Sequence, residues 1–314
     1  MSARALGLLA GYVADRIWGD PARLHPVAGL GTLAERLERH LYADDRRAGV
    51  AYTASLVGGA ALAGVAIERA TARRPIVRFL ATASTTWAVL GSRSLEAEAR
   101  AVRDHLAAGD LPSARQRLTH LVGRDTNELD EAAVARAVIE SVAENTSDAV
   151  VAPLLAGAVA GIPGLAAYRT ANTLDAMVGH RNERYTRFGW ASARLDDVLN
   201  WVPARVCAAF VVGLAPTVGG DPATAWRIWQ RDASAHPSPN AGPIEAAFAG
   251  TLDVQLGGVN QYDGRLEDRH TLGDGRPAQP RDIEAATHLS VMVGVTSAIA
   301  AAIATIVLNR KQHP

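Results

Sequence analysis

The chain has few cysteine, lysine and aromatic residues, and these scarcities narrow its possible chemistry. Cys207 is the only cysteine, so no disulfide forms within the chain and no zinc site is built from cysteines. Every basic residue except Lys311 is arginine, and 32 basic residues balance 32 acidic ones. Because the formal net charge is zero and no basic patch dominates, nucleic acid is not a predicted partner.

The sequence also lacks the short motifs of several common enzyme classes. It has no G-x-x-x-x-G-K-[ST] loop, so any nucleotide would be held without a Walker motif. It has no G-x-S-x-G, no H-E-x-x-H and no G-x-G-x-x-G after a strand. The familiar hydrolase and dehydrogenase interpretations therefore have no support.

Long uncharged runs are what the chain does have. Ala48–Ile67 and Ala149–Tyr168 each contain 20 residues without a charge, and Ala285–Leu308 contains 24. A helix that crosses about 30 Å of hydrocarbon needs about 20 residues. The mean hydropathy of only +0.03 would suit a soluble Ala-rich bundle, but long polar loops between spans lower the mean in the same way.

Helical spacing prevails, so we predict an all-α, polytopic integral membrane protein with amphipathic helices and long polar loops. Ser94–Ala107 has amphipathic spacing, and a further helix is predicted to begin near Asp125. The Gly-rich segment Asp253–Asp282 is interpreted as an ordered loop. The prediction is a single domain, 1–314, with spans near 48–67, 75–92, 149–168, 203–220 and 285–308.

Two polar blocks flank the middle apolar run, at 123–148 and 169–205. Charged and amide side chains beside a membrane-length segment are costly unless they serve a site, so chemistry at a bilayer surface is predicted. Five simple spans would place the blocks on opposite faces. The break at Gly161-Ile162-Pro163-Gly164 leaves a re-entrant segment, or a meeting of the blocks within the membrane domain, as alternatives.

In the first block, Arg136, Glu140, Glu144 and Asp148 recur every four residues and share a helix face, with Asn145 beside them. Such a carboxylate stripe suits Mg²⁺, which prefers oxygen ligands and usually retains waters and substrate phosphates. The alternative is a solvated face with an Arg136–Glu140 ion pair.

The second block ends one helix and begins another. Asn172 and Asp175 are i,i+3 partners before a predicted stop at Gly179, and His180-Arg181-Asn182 follows. This turn could hold a phosphate or carboxylate, or it could merely cap the helix end. The next helix has Asp196, Asp197, Asn200 and Arg205 as candidate ligands; the alternative is a helix surface with an interfacial Trp201.

A third candidate begins at Arg231-Asp232 and continues through the turn His236-Pro237-Ser238-Pro239-Asn240-Ala241-Gly242. Two prolines fix its backbone, which would preorganise the His236 and Asn240 side chains. A plain structural turn is the alternative.

Together these blocks resemble the adenosylcobinamide-phosphate synthase family of cobalamin biosynthesis, the CobD/CbiB group. The resemblance extends over nearly the whole chain, and polar strings as long as ENTSD are specific. The one departure is Pro243-Ile244, where the family pattern has an aromatic residue followed by proline. The matching segments are Gly19–Pro26, Gly123–Thr126, Glu140–Leu154, Asn172–Tyr185, Gly189–Arg205, His236–Gly242, Leu256–Gly264 and Thr271–Arg276.

The resemblance implies a multi-pass enzyme of the cell membrane. It would join the amine of (R)-1-amino-2-propanol phosphate, or a close relative, to the free carboxylate of adenosylcobyric acid. ATP would drive the step, activating the carboxylate as an acyl phosphate with Mg²⁺ and cationic groups around the phosphoryl oxygens. The lipid bilayer and other enzymes of the pathway are the implied partners.

Roles for individual residues are hypotheses that place this chemistry on the matching motifs. Glu140, Glu144 and Asp148 would hold Mg²⁺. Arg181, Asn182 and Arg231 would hold phosphate, and His180 or His236 would be the base, with Asp175 as a further catalytic group. The remaining substrate-binding candidates are Asn145, Asn172, Asp197, Asn200, Arg205 and Asn240.

Two other classes remain open. Broken helices and intramembrane polar groups also occur in transporters, so a carrier of a corrinoid or another polar metabolite is one alternative. No repeated halves are apparent, which argues against it. A scaffold for a membrane-bound pathway complex is the other, but it would have little need for so many separated His, Asn and Asp elements.

Overall fold

The computed structural model describes residues 2–20, 26–180, 182–262 and 265–312. These residues form twelve α-helices and three β-strands, with a π-helical turn at Ser147–Val151. The helices are α1 Ala3–Trp18, α2 Pro26–Leu41, α3 Arg46–Thr71, α4 Pro75–Val89, α5 Ser92–Ala107, α6 Leu111–Leu118, α7 Glu131–Thr146, α8 Ala152–Val178, α9 Trp190–Leu214, α10 Pro222–Asp232, α11 Ala241–Leu252 and α12 Pro280–Gln312. The strands are β1 Val254–Tyr262, β2 Arg265–Leu272 and β3 Arg276–Pro277.

The predicted fold class is confirmed, because the chain is mainly helical and contains membrane-length apolar helices. By length and composition, four helical segments of the described chain can cross a membrane: Arg46–Thr71, Glu131–Val178, Trp190–Val218 and Pro280–Asn309. Of the five predicted spans, 48–67, 149–168 and 285–308 lie inside them, and 203–220 does so up to residue 218. The exception is 75–92, where α4 has only 15 residues, or about 22 Å of helix.

The chain divides into two compact units, and it passes between them four times. Unit 1 comprises the described residues within 1–91, 152–200 and 297–314, and unit 2 those within 92–151 and 201–296. The core of unit 1 includes Tyr52 and Phe188, whose ring centroids lie 5.0 Å apart. In unit 2, α7 and α11 pack against each other and against β1. The single-domain organisation stays a prediction.

The predicted break in the middle apolar run is present in α8. Gly161 has a φ of +66°, a conformation that side chains other than glycine rarely adopt. The break would leave backbone N–H groups without helical partners, but the Ile162 N–H donates to a Glu68 carboxylate oxygen at 3.2 Å. Arg4 pairs with the same oxygen at 3.2 Å. Unit 1 therefore satisfies this break with its own side chains, as a membrane interior requires.

The ordered loop predicted at Asp253–Asp282 is wrong. The segment forms a three-stranded sheet, in which β1 pairs antiparallel with β2 and parallel with β3. A bulge between Gly257 and Val259 interrupts the β1–β2 register. The glycines that suggested a loop serve this bulge: Gly257 has a φ of +75°, and a Cβ there would lie 2.0 Å from the His270 carbonyl oxygen.

The amphipathic helix predicted at Ser94–Ala107 is confirmed as α5, which buries Leu95, Ala99, Val102 and Leu106. The helix predicted to begin near Asp125 instead begins at Glu131. Asp130 is its N-cap, and the Asp130 side chain accepts a hydrogen bond from the Ala133 N–H at 2.8 Å. The helix begins after Asp130 because this carboxylate makes an actual capping hydrogen bond. The capping-box spacing that suggested Asp125, five residues earlier, does not determine the start.

Candidate functional site

Unit 2 contains a buried ion pair between Arg124 and Glu140, in direct contact through Arg124 Nη2 and Glu140 Oε2. Arg124 Nη1 also donates to Asn260 Oδ1 at 2.7 Å. The other Glu140 oxygen accepts the Gly257 N–H at 2.8 Å. Both oxygens of this predicted metal ligand therefore already have protein donors.

Arg136 extends the same network to β1. Its Nη1 donates to the Gly257 carbonyl oxygen, and its Nη2 lies 3.3 Å from Asn260 Oδ1. The alternative ion pair with Glu140 is also present, at 3.8 Å. The bulged part of β1 is therefore held on α7 by four side chains, those of Arg124, Arg136, Glu140 and Asn260. This network explains why Gly257 and Glu140 are in contact although they lie far apart in the sequence.

The rest of the predicted carboxylate stripe is not gathered into a metal centre. Glu144 is exposed on α7, and Asp148 lies in the π-helical turn that follows. Within the described residues, no group of three or more His, Cys, Asp or Glu side chains is placed to hold a metal ion. The Mg²⁺ set of Glu140, Glu144 and Asp148 remains a prediction, and the Glu140 contacts count against its first member.

His236 and Glu245 form the second buried pair of unit 2. The side chains are 1% and 0% exposed, and His236 Nε2 lies 3.7 Å from Glu245 Oε1, too far for a hydrogen bond. Among the described residues, neither this nitrogen nor either Glu245 oxygen has a hydrogen-bond partner. Buried polar atoms without partners are rare and costly, so this pair requires an explanation.

The hydrogen bonds of His236 assign its tautomer. The Ser238 N–H donates to His236 Nδ1 at 3.0 Å. The Ser238 carbonyl oxygen lies 3.3 Å from the same nitrogen. Because the N–H contact is the shorter of the two and a backbone N–H can only donate, we assign Nδ1 as the acceptor and place the proton of the neutral ring on Nε2. His236 therefore presents an N–H group towards Glu245.

The electrostatics of the pair favour neutral forms. Burial raises the pKa of Glu245 well above its usual range, and the negative charges of Glu140 and Glu144 raise it further. Burial lowers the pKa of His236, and the positive charge of Arg269 lowers it further. Strongly shifted pKa values in a buried cluster are typical of a functional site.

Two other predicted residues, Asn240 and Arg205, belong to or contact the His236–Gly242 turn. Ser238 Oγ accepts the Asn240 and Ala241 N–H groups at 3.3 and 3.2 Å, and this begins α11 with Asn240 buried at its N-cap. Arg205 stacks over Trp201 at 4.2 Å and lies 3.4 Å from the Pro239 carbonyl oxygen. His236, Asn240 and Arg205 therefore converge on one turn.

Arg231 is engaged elsewhere in unit 2. It pairs with Asp232 at 2.6 Å and with Asp274 at 2.8 Å, and these hydrogen bonds raise the pKa of Arg231 above its ordinary value. Asp232 in turn accepts the Gly273 N–H at 2.8 Å. This arrangement fixes the turn after β2 and leaves the predicted phosphate role of Arg231 without support.

In unit 1, predicted residues form a polar ladder between α8 and the first half of α9. Tyr168 Oη donates to Asn200 Oδ1 at 2.7 Å, and Asn200 Nδ2 donates to Asp196 at 2.9 Å. Asn172 Nδ2 reaches the other Asp196 oxygen at 3.3 Å. Asp197 pairs instead with Arg194 at 3.4 Å, on a more exposed face.

The predicted helix stop at Gly179 is confirmed, because α8 ends at Val178. Gly179 lies against Asp175: a Cβ at 179 would be 1.8 Å from Asp175 Oδ1. His180 is exposed, and Asn182 accepts the Tyr185 N–H at 2.9 Å. Arg181 and residues 21–25 of the Gly19–Pro26 segment lie outside the described residues.

The loop after α8 is attached to α2 by Glu38. The Glu38 carboxylate accepts hydrogen bonds from Arg184 at 2.8 Å and from the Tyr185 hydroxyl at 3.1 Å. Arg184 also lies over the Tyr42 ring, 4.2 Å from its centroid. These contacts tie down the segment that contains His180 and Asn182.

The described geometry can be set beside known proteins. A family model described as CobD/Cbib protein matches residues 8–290. The chain belongs to the CobD/Cbib family. It is 49% identical over 299 residues to "Cobalamin biosynthesis protein CobD" of Mycobacterium tuberculosis strain H37Rv, covering 95% of each chain. The protein of the same name from Chromobacterium violaceum is 45% identical over 290 residues, covering 91% of each. No solved structure matches the chain.

Several residues of this CobD/Cbib chain escaped the sequence predictions. Glu245 is the main one, and a signal for it exists: it is the one charged residue of α11, whose sequence is AGPIEAAFAGTL. A lone acid in a buried apolar helix is unexpected unless it has a partner or a role. Asn260 lies in the matching segment Leu256–Gly264 but was given no role, and Glu38 and Arg269 carry no comparable local signal, because their partners are distant in the sequence.

Proposed function

We propose that this CobD/Cbib protein is an enzyme of cobalamin biosynthesis. It joins the amine of (R)-1-amino-2-propanol phosphate, or a similar amino alcohol phosphate, to the free carboxylate of adenosylcobyric acid. The product is adenosylcobinamide phosphate. The names of its relatives support the pathway, and the motif resemblance supports the particular reaction. Its place is the cell membrane, as a multi-pass protein that can associate with other enzymes of the pathway.

One structural observation supports catalysis above all: the buried His236–Glu245 pair. A scaffold has no reason to maintain a carboxylate and an imidazole at 0% and 1% exposure without hydrogen bonds between them. An enzyme that transfers a proton from an amine does, since a polar group that lacks a partner in the free protein can gain one from the substrate. The transporter alternative is weaker, because Glu68 already satisfies the Ile162 N–H at the break in α8.

ATP and Mg²⁺ belong to the proposal. Bound as MgATP, they would supply the phosphoryl group that activates the corrinoid carboxylate for attack. Of the three predicted metal ligands, Glu140 fits poorly, because its oxygens are occupied by Arg124 and Gly257. The exposed Glu144 and Asp148 of the π-helical turn are the carboxylates that would hold the ion.

The chain's own residues would bind and orient the two organic substrates. Arg181 and Asn182 are the candidates for phosphate, and Arg269 of β2 adds a cation beside the His236–Glu245 pair. Asp175, Asp197 and Asn240, with Asn145, Asn172, Asn200 and Arg205, remain candidates for orienting substrate. His236 presents its Nε2–H group and is therefore better suited to orient a carboxylate than to accept a proton; His180 remains the histidine candidate for a base.

The test is product formation by the detergent-purified protein. It is incubated with adenosylcobyric acid, aminopropanol phosphate and MgATP, and adenosylcobinamide phosphate is sought by mass spectrometry. ATP-dependent product is the expected result. If folded protein forms no product, with ethanolamine phosphate also tried, the synthase proposal is wrong, and uptake of corrinoid into sealed vesicles becomes the next measurement.

A further inference from the structure

Glu245 belongs to the buried pair that supports catalysis, but the proposed function does not yet give this residue a specific role. Both of its oxygens are buried without a partner in the described structure, and its side chain is 0% exposed. It lies in α11, four residues after the start of a helix that packs on α7 and β1. A carboxylate in this setting is costly until a proton or a cationic group reaches it.

The surroundings of Glu245 identify the class of ligand. Glu140 and Glu144 on α7 add negative potential at the Glu245 carboxyl group, and Arg124 and Arg269 only partly offset it. The Glu140 charge is already paired with Arg124, whereas no arginine or lysine of the described residues forms an ion pair with Glu245. His236 Nε2–H, 3.7 Å from Glu245 Oε1, provides a neutral donor that can turn towards the carboxylate. A small primary ammonium group would complete this arrangement.

We propose that the Glu245 carboxylate binds the ammonium group of the amine substrate and accepts its proton, while His236 Nε2–H orients that carboxylate. This inference rests on the proposed function and identifies the residue that acts as the base in that reaction. Glu245, protonated in the free protein, releases that proton to solvent as the ammonium group enters. An N–H bond of the bound ammonium group then breaks and an O–H bond forms on Glu245. The electron pair of the N–H bond stays on nitrogen, which becomes the neutral amine that attacks the activated carboxylate.

Burial explains why the proton would move in this direction. An ammonium–carboxylate pair carries two charges, and the amine–carboxylic acid pair carries none, so a buried site favours the neutral pair. The raised pKa of Glu245 shows the same preference for the protonated acid. An ordinary exposed carboxylate, with a pKa near 4, would be too weak a base for this task.

The decisive experiment compares Glu245→Gln with the wild-type enzyme across pH 7 to pH 9.5. Glutamine retains the shape but cannot take a proton. We expect kcat/KM for the amine to fall by about 100-fold at pH 7, while KM for the corrinoid is unchanged. We expect part of the loss to be recovered as pH rises, because the solution then supplies neutral amine. Glu128→Gln, at an exposed position of the same unit, is the matched control and should behave as wild type.

Two results would overturn the inference in an active enzyme: kcat/KM for the amine within about threefold of wild type, or a loss of equal size at every pH, which indicates a structural role. If Glu245→Gln does not fold, the wild-type protein provides the test. An analogue with hydroxyl in place of ammonium should then inhibit at a concentration at least about tenfold above KM for the amine. Equal values would contradict ammonium recognition.

Failure of the proposed function is distinguishable from failure of this inference. If wild-type protein forms no product, the synthase proposal fails, and direct binding decides the inference. Titration calorimetry would then compare aminopropanol phosphate with its hydroxyl analogue on the intact protein in detergent. Binding of the amine at least about tenfold more tightly supports an ammonium site at Glu245 if Glu245→Gln abolishes the preference. No preference, or no binding of either compound, rejects it.

Discussion

Two buried glutamates of unit 2 differ in how fully their oxygens are satisfied. Glu140 contacts the Arg124 guanidinium and accepts the Gly257 N–H, so each of its oxygens has a donor. Glu245 is at least as deeply buried, yet its oxygens accept no hydrogen bond within the described structure, and His236 Nε2 lies 3.7 Å from Oε1. The two residues belong to helices that pack against each other.

The difference separates a structural acid from a reactive one. A buried charge with complete hydrogen bonding fixes the position of the elements that supply its donors, here α7 and the bulge in β1. A buried acid without donors cannot fix anything, but it retains affinity for a proton or a cation. Burial alone therefore does not identify a functional carboxylate; the number of satisfied oxygens does.

The largest effect on stability should come from breaking the satisfied pair. Glu140→Ala leaves the Arg124 guanidinium buried without its counter-charge, so we expect the free energy of unfolding to fall by about 3–5 kcal/mol. Denaturant unfolding of the purified protein, followed by circular dichroism, measures this. Glu128→Ala, at an exposed site, should cost less than about 0.5 kcal/mol. A loss at Glu140 no larger than this control would show that the network does not hold β1 on α7.

Replacement of Glu245, whose oxygens lack donors, should change stability little. Glu245→Gln removes no hydrogen bond seen among the described residues and replaces a protonated acid by a neutral amide of similar shape. At pH 5, where wild-type Glu245 is still protonated in the folded protein, we expect the free energy of unfolding to stay within about 1 kcal/mol of wild type, although activity at pH 7 is lost. Denaturant unfolding followed by circular dichroism measures this difference. A loss of stability as large as that of Glu140→Ala would mean that Glu245 is a structural residue. The two glutamates would then not differ in role.

The pH dependence of stability should sharpen the comparison further. The raised pKa of Glu245 means that the folded protein binds this proton more tightly than the unfolded chain does. Its contribution is therefore fully present below the unfolded pKa, near 4, and is lost as pH rises towards the folded value, by at most about 1.4 kcal/mol per pH unit. Unfolding measured from pH 5 to pH 8 should show this slope in wild type and a smaller one in Glu245→Gln. Identical slopes in the two proteins would contradict the raised pKa of Glu245.

The elements that sequence predicted well depend on local properties. Length and the absence of charge identify a membrane-length helix, so 48–67, 149–168 and 285–308 fall within membrane-length helical segments, and 203–220 does so up to residue 218. The sheet at 254–277 was mistaken for a loop because its stability comes from distant contacts. Glu140 lies 117 residues from the Gly257 amide it accepts, and no local pattern contains that pairing.

The same distinction applies to the candidate site. Clustered polar residues led to His236, Asn240 and Arg205, and the structure brings these together at one turn. Their chemistry could not be predicted in the same way, because it depends on which atoms are satisfied. Glu140 seemed a free metal ligand until its two donors were seen, and Glu245 seemed part of an apolar helix until its lack of donors was seen.

The smallest effect is expected at Arg231, where a satisfied charge lies on the surface. Asp232 and Asp274 already occupy its guanidinium, so Arg231→Ala should change KM for the amino alcohol phosphate by less than about twofold. Arg227→Ala is the matched control, since Arg227 lies on the same helix and pairs with the same Asp274 at 3.2 Å. A tenfold or greater rise in KM for Arg231→Ala alone would restore its predicted phosphate role. It would also show that satisfied hydrogen bonds at an exposed site, unlike those of buried Glu140, do not prevent a residue from binding substrate.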